Sequence, residues 1–141
     1  MRSTKPLLLV EDNADDAMIV RRALEELGAA AALIHVPDAE KALDYLRSTA
    51  NPKPALILLD LILPGMTGVE FLKTIKTDAS LAEIPIVVLS TSDERRDVLD
   101  SFDLSVAGYI VKPADEASLM ETIKIVQAYW TLNYLPAACH S

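Results

Sequence analysis

Leu56-Ile57-Leu58-Leu59-Asp60-Leu61-Ile62-Leu63-Pro64-Gly65-Met66-Thr67-Gly68 is the stretch on which the fold turns. Four branched apolar residues run without alternation into one carboxylate, and Pro64, Gly65 and Gly68 then break regular structure. A short unbroken apolar run closed by turn signals reads as a strand buried on both faces. Asp60 therefore stands where a central strand gives way to its loop. In open α/β sheets that carboxyl edge is where ligands bind. A carboxylate buried there costs free energy unless a cation pairs with it. An aspartate after a strand also serves ordinary Asx-turns and helix N-caps, so the rest of the chain has to decide between the two.

The bulk numbers set the frame. A chain of 141 residues is one domain by length and large enough to bury a proper core. Its 51% hydrophobic and 24% charged content is that of a globular protein rather than a disordered one. A net charge of −8 repels nucleic acid and anionic membrane, so no direct nucleic-acid or membrane binding is expected. The single cysteine, Cys139, excludes a disulfide framework within the chain and a Cys/His zinc pattern. Met1 to Pro6 leads into an apolar run of four, too short for a signal-peptide core or a membrane span. A cytoplasmic location is the expectation.

Around the central stretch the same unit repeats in kind. Leu7-Leu8-Leu9-Val10 is another apolar run, ending on Glu11-Asp12-Asn13. Ala17, Val20, Leu24 and Leu27 follow at spacings of three and four, which predicts an amphipathic helix closed by Gly28. Asp15 and Asp16 fall in its first turn, where the helix dipole favours negative charge. Ala32 to Val36 reads as a weaker strand, its His35 a packed or edge histidine, with Asp38 capping a helix that uses Ala39, Ala42, Leu43 and Leu46. Ser48 to Pro54 is a loop; its Lys53-Pro54 precedes a strand and is set aside. After the central loop, Val69, Leu72 and Ile75 make a short helix face. Pro85 to Leu89 is a fourth apolar run, ending on Ser90-Thr91-Ser92, and Asp93 and Glu94 open a helix packing through Val98, Leu99 and Phe102. Gly108 to Val111 is the last strand, with Lys112-Pro113 directly after it and a final helix carrying Leu119, Ile123, Val126 and Trp130. Strict alternation of short strands and helices predicts a doubly wound (βα)5 parallel sheet, a flavodoxin-like α/β fold.

Glu11 and Asp12, Asp60, Ser90 and Lys112 all fall at carboxyl ends of strands, which in a doubly wound sheet converge on one crevice. Three carboxylates so close cannot all stay ionised without a cation. An all-oxygen acidic cluster suits a hard divalent ion, most naturally Mg²⁺. A hydroxyl and a lysine beside it are donors for phosphoryl oxygens. The chemistry this inventory supports is phosphoryl transfer onto Asp60.

These segments, LLLVEDN, LILLDLILPGMTG, IVVLSTS and GYIVKP, resemble the response-regulator receiver domains of two-component signalling, over roughly Lys5 to Tyr129. The resemblance implies that Asp60 is the phosphoacceptor, charged by a phosphohistidine on a sensor histidine kinase. It implies that Asp12 binds Mg²⁺ directly, Glu11 largely through water, and the Ile62 main-chain carbonyl as a further ligand. Ser90 would be the switch hydroxyl, Tyr109 the switch aromatic and Lys112 the site lysine, with a cis Lys112–Pro113 peptide. VEDNADDA, STSDERRDV and YWTLNYLP are similar to small stand-alone receivers that partner cyanobacterial and bacterial phytochromes. One departure is DLILPG where that subgroup often reads DLNLPG, which puts Ile62 in place of a polar side chain and leaves any role of that side chain toward hydrolytic water in doubt.

Other readings of the same fold fit less well. A pseudo-receiver, a binding module without phosphorylation, predicts a lost acceptor, lysine or acidic pair, and all are kept. An aspartate-nucleophile phosphohydrolase needs a second acid two residues after the nucleophile, where Ile62 stands. A flavodoxin-type electron carrier needs a hydroxyl- and glycine-rich phosphate loop, and Glu11-Asp12-Asn13 is its electrostatic opposite. The receiver domain is expected over residues 5–130, without an output domain. An apolar tail over 131–141, with Leu132, Tyr134, Leu135, Pro136, Ala137 and Ala138 following Trp130, is expected to carry a homodimer contact on the C-terminal face.

Overall fold

A computed structural model of the chain describes residues 5–91 and 95–132. Strands β1 (Leu7–Val10), β2 (Leu33–Val36), β3 (Leu56–Leu59), β4 (Ile86–Ser90) and β5 (Gly108–Val111) form one parallel sheet in the order β2-β1-β3-β4-β5. Helices α1 (Ala14–Glu26), α2 (Ala39–Arg47), α3 (Gly68–Thr77) and α4 (Arg95–Asp103) make the crossovers, and α5 (Glu116–Leu132) follows β5. The expected doubly wound flavodoxin-like fold is the observed one.

Alternation along each strand divides the core between two faces. Leu8, Val10, Ile57, Leu59, Ile86 and Val88 pack with α2 and α3, while Leu7, Leu9, Leu56, Leu58, Val87 and Leu89 pack with α1 and α5. The runs lack alternation in sequence because both faces are covered. β5 is an edge strand and only partly buried, with Val111 exposed.

Local chemistry sets the helix starts. Asn13 caps α1, its side-chain oxygen accepting from the Asp15 and Asp16 N–H groups at 2.9 and 3.0 Å. Asp38 caps α2 by accepting from the Lys41 N–H. Thr67 and Glu70 form a capping box at α3 that the apolar spacing did not signal. Two expected core positions turn outward: Leu27 and Phe102 are 45% and 51% exposed. Leu27 lies past the end of α1, whose buried stripe is Ala17, Ile19, Val20, Ala23 and Leu24. Among the described side chains of α4, Ser101 is buried and Phe102 faces outward. Asp93, Glu94 and the tail from 133 onward lie outside the described residues, as do the side chains of Leu99, Trp130 and Leu132.

Gly68 is where the central loop folds back on itself. Its N–H donates to the Leu61 carbonyl at 3.0 Å, and a Cβ there would lie 2.5 Å from the Leu61 Cα and 2.7 Å from the Asp60 carbonyl oxygen. Both neighbours are backbone and cannot rotate away. Gly68→Ala is therefore expected to destabilise the protein by about 1–3 kcal/mol through forced backbone displacement. An unchanged midpoint in urea unfolding would show that the loop accommodates the methyl group.

Candidate functional site

The sheet register sets the level of each site residue. Val10 lies beside Leu59, Leu59 beside Val88 and Val88 beside Tyr109, so Glu11 and Asp60 leave adjacent strands together. The Asp60 N–H still donates to the Val10 carbonyl at 3.1 Å, which ties the central loop to β1. The Glu11 N–H donates to the Val36 carbonyl at 3.1 Å, and His35 Nε2 on β2 donates to the Glu11 carbonyl at 2.7 Å. His35 is thus an edge histidine with a structural bond. Beyond β5, the Lys112 N–H donates to the Ser90 carbonyl at 2.8 Å.

Asp60, Glu11 and Ser90 are buried, at 6%, 2% and 0% exposure. One oxygen of Asp60, Oδ1, accepts from the Ser90 hydroxyl and from the Ile62 N–H, both at 3.0 Å. The other, Oδ2, faces Lys112 Nζ at 3.3 Å. Lys112 also donates to Glu11 Oε1 at 2.5 Å and to Asp16 Oδ2 at 2.9 Å. The Asp60 carboxylate is thereby fixed in orientation by three donors from three segments.

The charges are unbalanced. Burial pushes the Glu11 carboxyl up to about 7, and the nearby Asp60 charge adds to this, while the Lys112 hydrogen bond opposes it. Burial alone would lower the Lys112 ammonium, but its bonds to Asp16 and Glu11 and the charge of Asp60 outweigh that and hold it above its ordinary value. Carboxylate oxygens of Glu11, Asp12 and Asp60 lie within 4.8 Å of one another, with Asp12 on the exposed side. One ammonium does not neutralise three carboxylates. An all-oxygen set open to solvent on one side fits a hard divalent ion that keeps part of its water shell.

The structure brings Glu11, Asp12, Asp60, Ser90 and Lys112 together as the sequence indicates. Tyr109 is half-buried against the core on the α2 and α3 face. One expectation changes. The Lys112–Pro113 peptide is trans, not cis, the form that an X–Pro bond favours by about 0.5–1 kcal/mol in the absence of a constraint. The Ser90 hydroxyl donates to Asp60 itself. The sequence reading also gave Asp16 only to the helix dipole, whereas its carboxylate belongs to the lysine. The available signal was its place in the first turn of the first helix, which opens onto the carboxyl edge of the sheet.

Comparison with known proteins agrees with this geometry. Residues 7–124 match the family model described as response regulator receiver domain. The chain is 39% identical over 127 residues to the probable methanogenesis regulatory protein FilR2 of Methanothrix harundinacea, covering 88% of this chain and 82% of that protein. It is 36% identical over 139 residues to response regulator Rcp1 of Synechocystis, covering 95% of each. The crystal structure of Rcp1 in its Mn²⁺-bound form superposes with a TM-score of 0.84 at 33% identity, covering 93% of this chain and 97% of that one. The phosphorylated cyanobacterial phytochrome response regulator RcpA superposes with a TM-score of 0.89 at 40% identity, covering 95% of this chain and 99% of that one.

The Glu11 shift has a consequence for stability. Its folded pKa of about 7 lies above its unfolded value near 4.5, so the folded state binds this proton more tightly. The stabilisation is fully present below pH 4.5 and is lost as pH rises through about 7. Lys112, raised from 10.5, loses its own contribution only above 10.5, so it leaves that window untouched. In excess chelator, the melting temperature of the wild type is expected to fall more between pH 5 and 8 than that of Glu11→Gln. Parallel pH profiles for the two proteins would contradict this.

Proposed function

The chain belongs to the response regulator receiver family, and from that premise we propose that it accepts a phosphoryl group from a sensor-kinase phosphohistidine onto Asp60. The observation that carries this reading is the buried Asp60 carboxylate held between the Lys112 ammonium, the Ser90 hydroxyl and the acidic pair Glu11 and Asp12. An oxygen of Asp60 attacks phosphorus, the P–N bond breaks, and its electron pair stays with the departing imidazole. Lys112 and Ser90 donate to the phosphoryl oxygens, offsetting charge that builds in a loose transition state. Glu11, Asp12 and Asp60 would hold Mg²⁺, with the Ile62 main-chain carbonyl as a further ligand by family resemblance. When bound, that ion supplies positive charge against the incoming phosphoryl anion.

The sensor we propose is of phytochrome type, in line with the likeness to Rcp1 and RcpA across nearly the whole chain. The expected setting is cytoplasmic; among the described residues no helix is long and apolar enough to cross a membrane. Signal output is proposed to run through Ser90 and Tyr109. Once the Ser90 hydroxyl turns from Asp60 to the phosphoryl group, its loop is drawn in and Tyr109 follows. The output is a homodimer through the C-terminal face. In support, Phe102, Val111, Ile125 and Tyr129 on the last three elements are all exposed.

Incubation with Mg²⁺ and a small phosphodonor is expected to add one phosphoryl mass to the wild type and none to Asp60→Asn. Equal labelling of Asp60→Asn, or of the wild type in excess chelator, would defeat the assignment.

For the switch, Ser90→Ala is expected to take up phosphate yet fail to convert it into association. Sedimentation with and without phosphodonor reads this directly. A wild type that stays monomeric at high micromolar concentration in both states sinks the dimer, and a Ser90→Ala protein that associates like wild type sinks the coupling.

A further inference from the structure

Lys112 Nζ carries three protons, and the structure supplies three carboxylate oxygens for them. These are Glu11 Oε1 at 2.5 Å, Asp16 Oδ2 at 2.9 Å and Asp60 Oδ2 at 3.3 Å. They differ in what else is asked of them. Glu11 belongs to the carboxylate cluster that suits a divalent ion, and Asp60 is the group that becomes a phosphoryl ester under the function proposed above. Asp16 is outside that cluster, so its bond is the one that phosphoryl transfer leaves in place.

Asp16 is also well placed to act as an anchor. Its own N–H donates to the Asn13 side chain at 3.0 Å, which fixes the first turn of α1 against the end of β1. Its carboxylate is a quarter exposed, at the rim of the crevice, whereas the lysine it holds is only 5% exposed. The Asp60 contact is the longest of the three, so the ammonium is held mainly by the end of β1 at Glu11 and the first turn of α1 at Asp16 while staying within reach of the acceptor.

We propose that Asp16 is a positioning residue for phosphoryl transfer: it retains the Lys112 ammonium beside Asp60 while Glu11 and Asp60 change their commitments. A lysine stem has several rotors, and a tethered ammonium is already where phosphoryl charge develops. This rests on Asp60 being the acceptor. The opposing physical effect is charge: Asp16 adds a negative group to an acidic crevice and so repels the incoming phosphoryl anion. The geometry favours the tether, because the negative charge is spent on a direct contact with the ammonium.

The test follows phosphate uptake by the full chain from a small phosphodonor at saturating Mg²⁺, using intact mass over hours. The proteins are wild type, Asp16→Asn, Asp16→Glu, Lys112→Met and the double variant Asp16→Asn/Lys112→Met. Asp16→Asn is expected to be slower by roughly tenfold, with Asp16→Glu recovering part of the loss. In the Lys112→Met background the Asp16→Asn change is expected to have no further effect, since an anchor has nothing left to hold. Loss of equal size in both backgrounds overturns the proposal, because Asp16 would then act independently of the lysine. An Asp16→Asn protein as fast as wild type, or faster, overturns it in favour of simple repulsion. A wild type that takes up no phosphate removes the acceptor reading and the anchor with it, whereas a labelled wild type beside an unaffected Asp16→Asn removes the anchor alone.

Discussion

One buried ammonium holds the functional end of this molecule together. Lys112 reaches carboxylates from three separate places: the end of β1 at Glu11, the first turn of α1 at Asp16 and the end of β3 at Asp60. Without it Glu11, Asp16 and Asp60 would face one another's like charge, and like charges at this depth push one another toward the protonated form. Even with it, burial first and the Asp60 charge second hold the Glu11 carboxyl above the usual carboxylate range. The site is thus under-neutralised by construction. That is the condition under which a divalent cation is gained readily.

The backbone around Asp60 is shaped to the same end. The Ile62 N–H and the Ser90 hydroxyl both point at Oδ1, leaving Oδ2 turned toward the lysine. The turn that aims the Ile62 N–H depends on the close approach of Gly68 to Leu61, which leaves no room for a side chain. Packing in the apolar core below fixes the strand ends, and the strand ends fix the donors. Ser90 links the two halves of the system, since its hydroxyl touches Asp60 while its carbonyl receives the Lys112 N–H. Asp60 is thereby bonded to β4 through Ser90 and to the end of β5 through Lys112.

Ile62 shows how a local departure can leave the scaffold intact. Its side chain is 58% exposed, so it contributes to the rim of the crevice rather than to the core. Its N–H keeps the bond to Asp60 whatever side chain it carries.

The parallel sheet was legible in the sequence, because four-residue apolar runs closed by turn residues and alternating with amphipathic helices fit strands covered on both faces. The sequence also determined which residues reach the crevice, because a parallel sheet sends every strand's carboxyl end to the same edge. Glu11, Asp12, Asp60, Ser90 and Lys112 were legible on that ground alone. Tertiary structure decided what each one touches. Periodicity placed Asp16 on a helix turn but could not say that the turn opens onto a lysine 96 positions away. Nor could it tell that Ser101 rather than Phe102 faces inward on α4, or that Ser90 already bonds Asp60, since both depend on how α4 and β4 sit against the rest of the sheet. Spacing along a chain fixes direction within one element, but distances between elements are set by packing, and it is those distances that turn a list of polar residues into a site.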